Sequence, residues 1–182
     1  SFVSCCLLVW QPRREWYDAC HMYLERMKTT DFQPGKRYLF VIPMGATEQH
    51  GPFLPFGTDS YIQDVIVELA EEALPEVVFL PTLRITCSKE HQGFPGSVWI
   101  EKETMEIVLK NLCESLRPYA SAIVLVSWHG GNIGLLDRFV VKHGGAFGDV
   151  RVNHVKMDRE ETLQRTRELL GGGPVDEHAG NS

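Results

Sequence analysis

The chain has 182 residues, 43% of them hydrophobic and 23% charged, and a formal net charge of -6. That composition is expected of one globular domain with a real core, and the acidic balance argues against a nucleic-acid or anionic-membrane surface. No apolar run approaches the roughly 20 residues a membrane span needs.

Five cysteines (Cys5, Cys6, Cys20, Cys87, Cys113) are odd in number and form no C-x-x-C pair. This usage suits a reducing compartment, and a cytoplasmic location is expected. The opening SFVSCCLLVW is apolar but lacks the basic start of a signal peptide and an initiating Met. Residues 1–37 read as an N-terminal extension of a single domain covering 1–182.

From there the hydrophobic period alternates between strand and helix. Residues 38–42 (YLFVI) form a continuous apolar run, as in a strand covered on both faces. Ile62, Val65, Ile66, Leu69 and Ala73 then recur at helical spacing, with Thr58 or Asp59 at the expected N-cap. A second strand is predicted at residues 77–80 (VVFL), stopped by Pro81. Met105, Val108, Leu109, Leu112 and Leu116 make a helical stripe closed by Pro118. Residues 122–126 (AIVLV) read as a third buried strand, and Leu135, Leu136, Phe139 and Val140 as the helix after it. Residues 150–155 are the fourth strand. A more polar helix is predicted over 159–170, ended by Gly171-Gly172-Gly173-Pro174. This alternation predicts crossover connections and a mostly parallel sheet with helices on both faces.

In open α/β sheets ligands bind beyond the carboxyl ends of the strands. Each of the first three predicted strands runs into residues of ligand type. The first leads to Glu48 and His50, the second to Lys89-Glu90-His91, the third to Trp128-His129-Gly130-Gly131-Asn132. Glu48 and His50, two apart, share a face of an extended loop. Asp59, at a helix start, is favoured there by the helix dipole. A Glu/His/Asp/His set suits Zn²⁺ or Mn²⁺ better than Ca²⁺, and an Asp can bridge two ions about 3.5–4 Å apart. Taken singly, each has an ordinary reading: a solvated Glu-x-His pair, a plain N-cap, a tight H-G-G-N turn or an oxyanion-type loop, a structural His91. The absence of G-x-S-x-G removes the serine-hydrolase version. Phe53 and Trp128 beside the ligands suggest an apolar wall for a flat ring, with core packing of Trp128 as the plain alternative.

The run PMGATEQHGPFLPFGTD (residues 43–59) resembles the signature of the creatininase family. EHQGFPGS (90–97), WHGGN (128–132) and HAG (178–180) resemble its later motifs, in the family's order. The resemblance implies a three-layer α/β/α sandwich and a two-metal amidohydrolase with Zn²⁺ or Mn²⁺, possessing two ions per chain. Glu48, Asp59 and His129 match the ligands of one metal. His50 and Asp59 match those of the second, with Asp59 as the bridge. His178 matches a histidine over the substrate, and we expect it to donate a proton to the leaving nitrogen. His91, Trp128, Phe53, Gly130, Gly131 and Asn132 are assigned to substrate binding. The expected reaction is hydrolysis of a cyclic amide, a formamide-type or related small-molecule C–N bond by a metal-activated water, in a homo-oligomer, a hexamer by resemblance.

Three positions depart from the family pattern. Phe53 stands where a His is common, and Gly131 where creatininases proper carry a second-metal Glu. Relatives with H-G-G-N carry a Glu shortly after H-A-G, where this chain has Asn181 and Ser182 and stops. A C-terminus cut short of that Glu is therefore expected, with creatinine itself a poor substrate. The rival readings are a catalytically inactive metal-binding or structural subunit and a metal-dependent phosphoesterase.

Overall fold

The computed structural model describes residues 22–156 and Gln164. Four strands and three helices alternate: β1 (Tyr38–Met44), α1 (Thr58–Ala73), β2 (Val77–Phe79), α2 (Lys102–Leu116), β3 (Ala120–Ser127), α3 (Gly130–His143) and β4 (Arg151–Val155). The strands form one sheet in the order β2-β1-β3-β4, every neighbouring pair parallel. Leu39 aligns with Val77 on one side and with Ala122 on the other, and Ala122 with Arg151.

Successive side chains of a strand point to opposite faces, which divides the core in two. Phe40 and Ile42 of β1 and Ile123 and Leu125 of β3 join Met105 and Leu109 of α2 and Leu135, Leu136 and Phe139 of α3. Val41 joins Val77, Phe79 and Val67 of α1 on the other face, with Leu39, Val124 and Val126 packed partly buried against them. The molecule is a three-layer α/β/α sandwich, as the sequence periods predict. Each large apolar side chain buried in this way stabilises the fold by about 1.5–3 kcal/mol.

The strands and helices fall where the sequence places them, within one to three residues. Two details differ. The N-cap is Gly57 rather than Thr58 or Asp59, with Asp59 in the first turn. The buried face of α1 is Asp59, Ser60, Gln63, Val67 and Glu71, while Val65 and Leu69 of the apolar stripe are exposed. Polar burial at the N-terminal end turns the helix, because Asp59, Ser60 and Gln63 find partners on the sheet edge. The predicted helix at 159–170, the glycine run after it, Cys5, Cys6, Cys20 and most of the N-terminal extension lie outside the described residues. Cys87 and Cys113 are buried free thiols. Among the described residues, no helix is long and apolar enough to cross a membrane.

Candidate metal centre

The carboxyl edge of the sheet is knitted by its own backbone. At the end of β1, a Cβ on Gly45 would overlap Oγ and Cα of Ser60, so glycine lets the first turn of α1 close onto the strand. Ser60 Oγ then donates to the Ala46 carbonyl at 2.8 Å, and Asp59, one residue earlier, is delivered to the site. The Gly45 carbonyl accepts from Thr86 Oγ1 (2.6 Å) and Asn132 Nδ2 (3.1 Å), tying the loop after β2 and the start of α3 to β1. At the end of β3, Ser127 Oγ donates to the Met44 carbonyl at 2.9 Å. Three chain segments are thus locked together just beyond the strand ends.

Glu48, His50, Asp59 and His129 meet there and are all buried. Asp59 lies between the two imidazoles: Oδ1 is 3.3 Å from His50 Nε2, and Oδ2 is 3.0 Å from His129 Nδ1. The far nitrogen of each ring faces a backbone carbonyl. His50 Nδ1 lies 3.1 Å from Glu48 O, and His129 Nε2 lies 3.0 Å from Cys87 O. A ring that donates its far N–H to a carbonyl directs its remaining lone pair inward, the arrangement that orients metal-binding histidines. Each ring here faces acceptors at both nitrogens, and a neutral imidazole can donate to only one of them. Only two extra protons or a cation relieves that opposition.

The electrostatics agree. His50 is raised above the usual histidine range, chiefly by its hydrogen bond with Asp59. Burial pulls His129 down, but Asp59 and the Glu48 charge outweigh it and the net shift is upward. Burial likewise pushes Asp59 up, and hydrogen bonds with His129 and His50 reverse this, holding it far below the ordinary carboxylate range. Glu48 is raised by burial, only partly offset by His129. Buried Oε2 of Glu48 has no aligned hydrogen-bond partner, and an orphaned buried carboxylate oxygen is costly unless a cation meets it. The mixed nitrogen and oxygen donors fit Zn²⁺ or Mn²⁺.

Two triads have ligand atoms within 4.8 Å of one another: Glu48/His50/Asp59 and Glu48/Glu90/His129. Neither is a grouping implied by the resemblance: the first joins His50 to Glu48 and Asp59, and the second contains Glu90, which was given no role from the sequence. Its signal was available, as Glu90 directly precedes His91 in the segment after the second strand. His91 sits at the site wall, Nε2 3.3 Å from Glu48 Oε1 and Nδ1 3.3 Å from Gln49 Nε2. Gly130 opens α3, and Gly131 packs against His129, Glu90 and the Cys87 carbonyl.

Three residues assigned to substrate binding stand differently. Asn132 is fully buried, its Nδ2 within 3.1 Å of Gly45 O, Thr86 Oγ1 and Ser127 Oγ, and its Oδ1 accepts from Cys87 N–H. Its amide is engaged inside the fold and ties the loop after β2 and the start of α3 to the end of β1. Phe53 is 83% exposed, so its ring stands in solvent. Trp128 is half-buried, its backbone N–H donating to Gln63 Oε1 at 2.9 Å. His178 lies outside the described residues.

The family model described as "Creatininase: Creatinine amidohydrolase" matches residues 25–182. The mycofactocin precursor peptide peptidase of Mycobacterium tuberculosis (strain ATCC 25618 / H37Rv) is 37% identical over 121 residues, 62% of this chain and 48% of that protein. The mycofactocin precursor peptide peptidase of Mycolicibacterium smegmatis (strain ATCC 700084 / mc(2)155) is 37% identical over 103 residues, 54% of this chain and 42% of its own length. The chain therefore spans about half the length of the curated relatives it matches. Among solved structures, one named "Creatininase Mn" superposes with a TM-score of 0.69 at 18% identity, covering 88% of this chain and 69% of that one. A creatininase mutant of Zn-Zn type gives 0.68 at 18% identity, with the same coverage. With the family model matched along nearly all of its length and the fold shared, this chain belongs to the creatininase (creatinine amidohydrolase) family.

Proposed function

We propose that the protein is a metal-dependent amidohydrolase that cleaves an amide C–N bond at the site formed by Glu48, His50, Asp59 and His129. The observation that carries this reading is Asp59, set between two imidazoles whose other nitrogens face backbone carbonyls. Zn²⁺ or Mn²⁺, up to two per chain, fits the donor set, and related structures are named for both metals. Such an ion, when bound, supplies Lewis acidity for activating water and stabilising developing oxyanion charge.

The chain's own residues supply the rest. Glu48 and Asp59 hold negative charge in a buried pocket, and His50 and His129 are oriented by carbonyls before any substrate arrives. Preorganisation of this kind contributes most where charge develops. His91, tied to Glu48 from the rim, is assigned to the substrate's polar end. His178 is assigned proton donation to the leaving nitrogen, a role typically worth about 10²–10⁴-fold.

For the substrate, the relatives at 37% identity are named as peptide peptidases, which supports the amide bond of a short peptide alongside the formamide-type and cyclic amides. Creatinine is disfavoured by Gly131. A homo-oligomer is expected, and sedimentation would establish its size.

The test is an amide panel (short peptides, formamides, creatinine) offered to the full chain after loading with Zn²⁺ or Mn²⁺. We expect turnover of at least one amide, abolished by chelation, restored by metal and lost in Asp59→Asn. Bound metal with no hydrolysis across the panel would favour the inactive subunit, and turnover of a generic phosphoester would favour the phosphoesterase.

A further inference from the structure

The triad on the other side of His129 points to a ligand of different origin. Glu90 lies on the single turn Lys89–His91, in the loop after β2. Its Oε1 is 3.5 Å from His129 Nε2, and Glu48 Oε2 is 3.4 Å from the same nitrogen. Glu48 is 1% exposed, and this Oε2 is the oxygen with no aligned hydrogen-bond partner. A buried, orphaned carboxylate oxygen and a second carboxylate therefore converge beside one imidazole. Two like charges brought this close repel, and a cation between them removes the repulsion.

Position 131 explains why the carboxylate comes from this loop. A Cβ there would overlap Glu90 Oε1, the Cys87 carbonyl and His129 Nε2. The Cys87 carbonyl is backbone and cannot swing aside, so no acidic side chain can enter from the first turn of α3. Glu90 fills the space that a side chain at 131 would need. The neighbouring Lys89 is held by Glu101 at 2.6 Å, which helps fix the turn.

We infer that Glu90 is a metal-ligating residue that joins Glu48 and His129 at the centre, a carboxylate supplied by the loop after β2. The inference rests on the metal reading proposed above and adds to it a ligand from a separate segment. Glu90 is 44% exposed at the lip, so Glu90→Gln should leave the fold intact, a point checked by thermal melting.

The experiment is a titration of the chelator-stripped full chain with Mn²⁺, followed by calorimetry and by the EPR signal of free Mn²⁺, for the wild type, Glu90→Gln, Glu90→Asp and the exposed control Glu103→Gln. The expected result is that Glu90→Gln loses one Mn²⁺ equivalent held by the wild type. Glu90→Asp should retain it with affinity weakened about 10–100-fold, as for a disturbed metal environment, and Glu103→Gln should match the wild type. Equal stoichiometry and affinity in Glu90→Gln and the wild type would overturn the role of Glu90 alone. A wild type that binds no Mn²⁺ would instead overturn the metal reading beneath it.

Discussion

Asp59 and the two histidines that flank it make opposite demands on pH. His50 and His129 are raised above 6.5, so their contribution to stability is complete below that value and is lost as pH rises through their folded values. Asp59 is lowered below 3.8, so its contribution is present above 3.8 and disappears only in stronger acid. Glu48, raised above 4.5 by burial, works against the fold as it ionises. In the metal-free protein the cluster therefore stabilises best between 3.8 and 6.5 and weakens toward alkaline pH. A bound cation takes the place of the protons. Melting temperatures measured with chelator and with Zn²⁺ or Mn²⁺ should diverge as pH rises from about 6 to about 8. At a hundredfold excess over Kd the metal adds about 2.7 kcal/mol, or very roughly 5–10 °C for a domain of this size. A gap that stays constant across the range would mean that protons and metal do not compete for these residues.

The helices and strands show what the sequence made legible and what it hid. Continuous apolar runs located β1 and β3 because a parallel sheet buries both faces, and the stripe from Met105 to Leu116 located α2 with its buried side correct. α1 was found too, but its face was misread. Ile62, Val65, Ile66 and Leu69 look like the core side, yet Ser60, Gln63 and Val67 occupy it. Gly45, which admits Ser60, and Trp128, whose backbone N–H donates to Gln63, determine the rotation, and neither partner is adjacent in sequence. The helix makes a paired prediction. Val67→Ala removes two buried methyl groups and should cost about 2 kcal/mol by urea unfolding. Val65→Ala, on the exposed side, should stay within about 0.5 kcal/mol. Equal losses would mean that the stripe is covered after all. The candidate cluster was legible for a related reason: two strand ends, those of β1 and β3, deposit Glu48, His50 and His129 on one edge, and that convergence survives errors of a residue or two. Glu90 was missed because its relevance depends on the closed space over Gly131, which no periodicity encodes.

At the scale of the whole molecule, a sheet edge brings acidic and imidazole groups from four segments into one buried cluster whose hydrogen bonds balance only with added positive charge. The measurement that tests this most directly is metal content per chain, by elemental analysis of the full protein after equilibration with Zn²⁺ or Mn²⁺ and removal of excess, beside Asp59→Asn and His129→Ala. Bound metal is expected in the wild type and its loss in both variants, because Asp59 and His129 are the proposed ligands. Metal that remains bound at wild-type levels in both variants, or a wild type that takes up none, would contradict it.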